Sequence, residues 1–318
     1  MKPKVIVTRD IPDEVELKLK EYFQVSFNRE DKVFSNDILR KAMESADGIV
    51  CTVTDSITDE LLTLPNKKVK IIANIGVGVD HIDLQSAKEN NVIITNTPDV
   101  LTESTVDVAT LLLLSVTRNA FLVEKMLRQD EWKGFSLTEN LGVDVRGKIL
   151  GIVGMGRIGK SFAKRAHEIF GMKVLYYNRS PVKDLTFEAS VRFDLDALLE
   201  ESDVISLHLS SDKGNKNFIS KSRLNKIRPS SFLINTSRGD VIDQMALTDM
   251  LAKKKLAGAG LDVFINEPNV PPELRQLTNT TLYPHIGSAT HETRTKMGML
   301  AVENLIAFFN KKQVINEL

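Results

Sequence analysis

Apolar residues along the chain fall either in short unbroken runs or in stretches spaced three and four apart. Short runs read as strands buried on both faces, and the spaced stretches read as amphipathic helices. In the first hundred residues, runs at 4–7, 48–53, 69–75 and 92–95 predict strands, the last ended by Asn96-Thr97-Pro98. Helical spacing fills the gaps at 12–22, 38–43, 58–64 and 84–90. Val15, Leu19 and Tyr22 share one face of the first of these helices, and Pro65 stops the third. Residues 103–118 are apolar almost all round, which predicts a helix buried in a core or against a second subunit. A second series begins at Lys148, with strands at 149–153, 173–177, 204–209, 231–235, 259–263 and 281–283. Its helices fall at 157–170, 195–200 and 244–254, and a last helix spans 291–310. Strands alternating with helices predict parallel sheets covered on both faces, an α/β fold. No internal repeat or low-complexity linker interrupts the pattern.

Composition narrows this picture. At about 100–200 residues per domain, a chain of 318 residues makes two domains. Hydrophobic residues at 42% and charged residues at 26% suit an ordinary globular chain with a sizeable core. The 42 basic and 42 acidic side chains cancel, so no overall field draws in nucleic acid or an anionic membrane. An anionic ligand must therefore be held by local groups. The longest apolar stretch, around Leu111 to Leu114, is far short of the roughly 20 residues that span a bilayer. Residues 1–10 show no signal-peptide pattern. Cys51 is the one cysteine, which excludes an internal disulfide and points to the reducing cytoplasm. It lies in an apolar run and reads as a buried core thiol rather than a nucleophile. The lysines at 253–255 read as a solvated helix end, where cations suit the helix dipole.

Gly154-Met155-Gly156-Arg157-Ile158-Gly159 is a G-x-G-x-x-G that follows an apolar strand and opens an amphipathic helix. Gly171 ends that helix and a second strand follows, which is the context a dinucleotide site requires. The first glycine permits the tight turn, the second lets backbone approach a pyrophosphate, and the third lets helix and strand pack closely. The helix N-terminus offers N–H groups and partial positive charge to phosphates. About 20 residues on, an NAD site carries an acidic residue for the ribose 2′-hydroxyl. Here the chain reads Tyr177-Asn178-Arg179-Ser180, with no carboxylate to repel a 2′-phosphate. Arg179 is able to pair with that phosphate while Asn178 and Ser180 donate hydrogen bonds, so NADP(H) is favoured over NAD(H). Asn178 is also able to bond a free ribose hydroxyl.

Three further residues follow predicted strands: Arg238 in Asn235-Thr236-Ser237-Arg238-Gly239-Asp240, Glu267 in the stretch 262–268, and His285 in Pro284-His285-Ile286-Gly287-Ser288. Carboxyl ends of strands line the ligand crevice of a doubly wound sheet. Reducing a keto acid requires a hydride, a proton and a place for a carboxylate. A histidine moves the proton, and a neighbouring carboxylate raises its basicity and fixes its tautomer. An arginine binds the carboxylate and polarises the carbonyl. The sequence alone does not bring the three together.

With these residues the chain resembles the D-isomer-specific 2-hydroxyacid dehydrogenases, most closely their glyoxylate/hydroxypyruvate reductase branch. The likeness runs over nearly the whole chain, through Asn74 to Asp83, Asn96-Thr97-Pro98, Gly151 to Gly159, Asn235 to Asp240, Gly258 to Val263 and Pro284 to Thr290. It implies two doubly wound parallel-sheet lobes with the active site in the cleft between them. One is a flavodoxin-like substrate lobe of residues 1–98 plus 288–318, the other a Rossmann cofactor lobe of residues 99–287. It implies catalysis by Arg238, Glu267 and His285. The backbone N–H groups of Val77 and Gly78 would hold the substrate carboxylate, with Arg238 closing over it and His285 at the carbonyl. Gly154 to Gly159, with Met155, Gly156, Arg157 and Ile158, would take the pyrophosphate, and Asn178, Arg179 and Ser180 the adenosine ribose. Thr105, Thr236, Ser237, Arg238, Asp262, His285 and Gly287 would line the nicotinamide side, with Leu209 near the adenine. No metal is implied. A homodimer would form through 103–118 and 121–132, with Trp132 packing there or reaching the partner's active site.

Two features depart from the family pattern. Ser210-Ser211 stands where the family usually has proline after Leu207-His208-Leu209, and the acidic ribose ligand is missing. Glu267 is the ordinary family residue, whereas formate-oxidising relatives carry glutamine. The chain lacks the regulatory domain of many phosphoglycerate dehydrogenases. The reading is therefore a reductase of a small 2-keto acid, with glyoxylate or hydroxypyruvate favoured. Its rivals are an NAD-linked dehydrogenase for another substrate, D-lactate or 3-phosphoglycerate, and a cofactor-sensing corepressor. The corepressor reading finds no peptide-binding extension or disordered tail in the sequence.

Overall fold

The computed structural model describes residues 1–183, 185–210 and 214–318, so Ser211 lies outside the described residues. The chain forms two compact units, Met1–Leu101 with Ser288–Leu318, and Thr102–Gly287.

The first unit holds a five-stranded sheet of β1 (Lys4–Val7), β2 (Gln24–Phe27), β3 (Gly48–Cys51), β4 (Ile71–Asn74) and β5 (Ile93–Thr95), in the order β2-β1-β3-β4-β5. Every pair is parallel, and this is the flavodoxin-like order. All four residues of β3 and of β4 are buried, because helices cover both faces. The helix His291–Phe309 returns from the chain's end to pack Val302 and Leu305 with Val50, Ile71 and Val15. Val15 and Leu19 of the helix Asp13–Tyr22 are buried as predicted, but Tyr22 is exposed at the helix end.

The second unit holds β6 (Ile149–Val153), β7 (Lys173–Tyr177), β8 (Ala189–Val191), β9 (Val204–Leu207), β10 (Phe232–Asn235), β11 (Gly258–Leu261) and β12 (Thr280–Leu282). They pair in parallel in the order β12-β11-β10-β9-β6-β7-β8. Numbered within the unit this is 3-2-1-4-5-6-7, the doubly wound dinucleotide-binding order with one added strand. Two cores flank the sheet, one around Leu198, Leu207 and Leu247, the other around Leu112, Phe162 and Ile234.

The structure adds β2 and β8, which the sequence pattern did not predict. Both are edge strands with no fully buried residue, so neither carries an unbroken apolar run. The helix Thr102–Thr117 buries most of its apolar residues, but Leu111 and Leu114 are exposed. The helix Ala120–Arg128 after it has no buried residue at all. No single helix among the described residues is long and apolar enough to cross a membrane. Cys51 is fully buried, and burial pushes its thiol well above the ordinary range, as suits a core residue. Lys253, Lys254 and Lys255 are exposed, and Lys253 pairs with Asp249 at 2.7 Å.

Candidate active site

The strand order sets β10, β11 and β12 side by side. The loops after their carboxyl ends carry Arg238, Glu267 and His285. Those residues, scattered over about fifty positions of sequence, thus leave neighbouring strands at the same end of one sheet. His285 Nδ1 and Glu267 Oε2 lie 2.7 Å apart. A carboxylate at Nδ1 keeps a proton on that nitrogen and leaves Nε2 to exchange one. The other carboxylate oxygen of Glu267 accepts from the Phe264 N–H at 2.8 Å, which fixes the carboxylate plane. Burial opposes the charge on Glu267. The hydrogen bond and charge of His285, the Phe264 N–H and the charge of Arg238 outweigh it and hold the carboxyl below its usual range.

His285 itself has φ of 54°, in the left-handed region. Its backbone N–H is held by Asp262 O at 2.9 Å and Tyr283 O at 3.1 Å. The left-handed region is uncommon for a non-glycine residue, although histidine enters it more readily than most. Asp262 is fully buried, and its two carboxylate oxygens accept from Ile286 N at 2.7 Å and Gly287 N at 2.8 Å. Burial pushes its carboxyl up to about 6 against those two hydrogen bonds and the charge of His285. Asp262 therefore braces the His285 loop. Thr105 Oγ1 donates to Gly287 O at 3.3 Å and closes the same loop from the helix Thr102–Thr117.

Arg238 leaves β10 through a turn built by Asn235, which is buried. The Asn235 amide donates to Arg238 O at 2.8 Å, and its oxygen accepts from Ser237 N at 2.9 Å and Ser237 Oγ at 2.7 Å. Arg238 Nη1 donates to Ser237 O at 2.8 Å. Gly239 presses on the Phe264–Ile265 backbone, and Gln244 Oε1 accepts from Ile265 N at 2.8 Å. The arginine loop and the glutamate loop are thus packed as one piece.

The glycine-rich loop sits at the carboxyl end of β6. Gly154 has φ of 95°, and a Cβ there would meet His208 O at 2.5 Å. A Cβ on Gly159 would meet Gly154 O at 2.1 Å. By contrast, nothing lies within 4 Å of a Cβ on Gly156. Protein packing thus explains the first and third glycines, whereas the second leaves backbone open at the start of the helix Arg157–Phe170. His208, its ring 5.7 Å from that of Phe162, lies beneath this loop, and desolvation pushes its imidazole down to about 3. It is neutral there and hydrogen-bonds Ser206 Oγ at 2.9 Å. In the first unit, Val77 and Gly78 form a half-buried turn just after β4.

Residues 110–287 match the NAD binding domain of the D-isomer specific 2-hydroxyacid dehydrogenases. A glyoxylate reductase of Thermococcus litoralis is 42% identical, over 97% of this chain and 94% of its own. The chain belongs to this family. A Thermus thermophilus protein of known structure superposes with a TM-score of 0.92 at 39% identity, covering 99% of each chain. An NADPH-dependent glyoxylate/hydroxypyruvate reductase from Sinorhizobium meliloti, solved with NADP and malonate, gives 0.87 at 32% identity, over 100% of this chain and 97% of that one.

As a D-2-hydroxyacid dehydrogenase the chain is a nicotinamide-dependent oxidoreductase, and its residues fit that cofactor. The open Gly156 backbone suits a pyrophosphate. Thr236 Oγ1 is buried with no hydrogen-bond partner among the described residues, as a group awaiting a ligand would be. Asn178 is tied into the surrounding backbone. Its oxygen accepts from Met155 N at 3.1 Å and its amide donates to Ser180 O at 2.9 Å. It therefore ties the glycine-rich loop to the loop after β7, leaving Arg179 and Ser180 exposed beside it. Leu209 packs partly buried against the core next to Gly154. Sequence reasoning passed over Asn235, Gln244 and His208 as site residues. Asn235 and His208 carried a signal, each a polar residue at or just beyond a strand end and beside a residue already singled out, whereas Gln244 opens the helix Gln244–Ala252 and carried none.

Proposed function

We propose that this dehydrogenase reduces glyoxylate or hydroxypyruvate to the D-2-hydroxy acid with NADPH, and that His285 delivers the proton. The observation that carries this reading is the 2.7 Å contact between His285 Nδ1 and Glu267, on the strand next to the one that leads to Arg238. The substrates named for the Thermococcus and Sinorhizobium relatives favour these two acids. A bound reduced nicotinamide supplies a hydride to the carbonyl carbon. His285 Nε2 gives its proton to the carbonyl oxygen as the C=O bond becomes C–OH, and Glu267 stabilises the imidazolium beforehand. In the oxidative direction the same nitrogen takes the proton back. Arg238 stabilises charge developing on the carbonyl oxygen, and the N–H groups of Val77 and Gly78 serve as donors for the substrate carboxylate. Thr105, Thr236, Ser237, Asp262 and Gly287 line the nicotinamide side. Residues 1–98 with 288–318 serve the substrate, and 99–287 the cofactor.

Arg179 and Ser180 select NADPH by meeting its 2′-phosphate. A charge-assisted contact of this kind is worth about 1.5–3 kcal/mol, so kcat/KM with NADPH should exceed that with NADH by roughly tenfold or more. Arg179→Ala should remove most of the difference. Steady-state assays with both cofactors and a panel of keto acids check this, and a ratio below one would refute the NADPH assignment.

The enzyme acts as a homodimer in the cytoplasm. Leu111, Leu114, Phe121, Leu122, Leu127 and Trp132 leave apolar surface exposed on one stretch of chain, as an interface requires. Sedimentation should give twice the 35.5 kDa chain mass. Leu127→Glu should shift the protein towards monomer, and a monomeric wild type would refute the arrangement.

A further inference from the structure

Val77 and Gly78 lie in a turn whose carbonyl oxygens are all spoken for. Asn74 Nδ2 donates to Gly76 O at 3.1 Å and to Gly78 O at 3.0 Å. Asn96 Nδ2 donates to Val77 O at 3.0 Å. Thr97 closes the turn from the other side, its N–H on Gly76 O at 3.0 Å and its hydroxyl oxygen accepting from Gly76 N at 3.0 Å. The N–H groups of Val77 and Gly78, in contrast, make no hydrogen bond among the described residues.

A trans peptide is planar, with its C=O and the next residue's N–H pointing to opposite sides. Holding Gly76 O therefore fixes the direction of the Val77 N–H, and holding Val77 O fixes that of the Gly78 N–H. Each asparagine sets one plane. Asn74 is itself oriented, because the Cys51 thiol donates to its oxygen at 3.8 Å and so turns its amide nitrogen to the turn. Both asparagines are buried, at 1% and 9% exposure, and cannot swing away into water. Two successive N–H groups held side by side form a concavity that binds an anion.

We infer that Asn74 and Asn96 are positioning residues that aim the two N–H donors of the substrate-carboxylate subsite, an inference that rests on the function proposed above. The donors are set before the substrate arrives, so binding spends nothing on turning peptide planes. An aspartate at either position could not donate, and its charge would repel the carboxylate. The residue type is therefore dictated by the task.

The subsite holds the carboxylate equally in the ground state and the transition state, so weakening it raises KM more than it lowers kcat. Oxalate, which carries the carboxylate but accepts no hydride, serves as the probe. In Asn96→Ala, the inhibition constant for oxalate and KM for glyoxylate should both rise about tenfold, the size of one hydrogen bond to a charged group. The dissociation constant for NADPH should stay at wild type, and the Tm should fall by only a few degrees, about the cost of one buried hydrogen bond. Asn96→Ser, which keeps a donor, should recover part of the loss. Asn74→Ser should act in the same direction, and oxalate binding to its NADPH-loaded form reads the subsite even where stability is lower. Wild-type oxalate and glyoxylate constants in Asn96→Ala would overturn the aiming role. So would equal losses in Tm, NADPH affinity and kcat, since those mark a purely structural residue. A wild-type enzyme that turns over no keto acid would overturn the proposed function itself, and the aiming role with it.

Discussion

Replacing His285 by alanine should lower kcat for keto-acid reduction by about 10²–10⁴-fold, the usual contribution of a positioned general acid. Binding of the nicotinamide cofactor should persist, because the glycine-rich loop after β6 is built without His285. The structure also indicates a cleaner variant. His285 has φ of 54°, a conformation that asparagine adopts far more readily than alanine. His285→Asn should therefore keep the loop held by Asp262 while removing the proton donor, and it should lose as much activity as the alanine variant. Stopped-flow or steady-state oxidation of NADPH measures the loss, and fluorescence titration measures cofactor binding. Wild-type kcat in His285→Asn would end the assignment of proton transfer to this residue.

Gly239→Ala should be nearly as damaging, although the residue has no chemistry of its own. A Cβ at this position would lie 2.0 Å from the Phe264 carbonyl carbon, 2.3 Å from its oxygen and 2.4 Å from Ile265 N. These are main-chain atoms, so no side chain can swing aside. The arginine loop and the glutamate loop must move apart. Overpacking of this kind costs about 1–3 kcal/mol, and more where backbone must yield. The displaced turn carries Glu267, which orients His285, and misplacing a catalytic group by about 1 Å costs roughly a hundredfold in rate. We expect a Tm lowered by several degrees, at roughly 2–4 °C per kcal/mol for a unit of this size, together with a large fall in kcat. Differential scanning fluorimetry and initial-rate kinetics test both, and a variant with unchanged Tm and kcat would show that the loops are not tightly coupled.

Much of this site could be read from the residues in order. The glycine-rich loop was legible because each glycine answers a local need, and the structure shows two of them meeting backbone within 2.5 Å while the second faces open space. Arg238, Glu267 and His285 were legible as polar residues following apolar runs. Other parts could not be read. β2 and β8 carry no fully buried residue, and an edge strand without an apolar run has no signal in a hydrophobic pattern. The roles of Asn74, Asn178 and Asn235 were hidden for a different reason. Folding alone brings the Met155 N–H to the Asn178 oxygen, and although Asn74 and Asn235 meet backbone only a few residues on, a side chain's identity does not say which carbonyl or N–H it will meet.

The opening pattern of apolar runs and spaced stretches is a local property, and local properties settle local outcomes. Periodicity chose strand or helix, the glycines chose the turn before the helix Arg157–Phe170, and apolar runs long enough to be buried on both faces required parallel sheets. Proximity belongs to the tertiary structure. The order β12-β11-β10 set three loops side by side, and the 2.7 Å contact of His285 with Glu267 exists only because of that order. The same holds for the Val77–Gly78 turn, whose N–H groups are left over once Asn74 and Asn96 have taken the carbonyls. A hydrogen bond acts over about 3 Å, whereas these partners stand up to some twenty residues apart along the chain, so only the fold decides which of them meet.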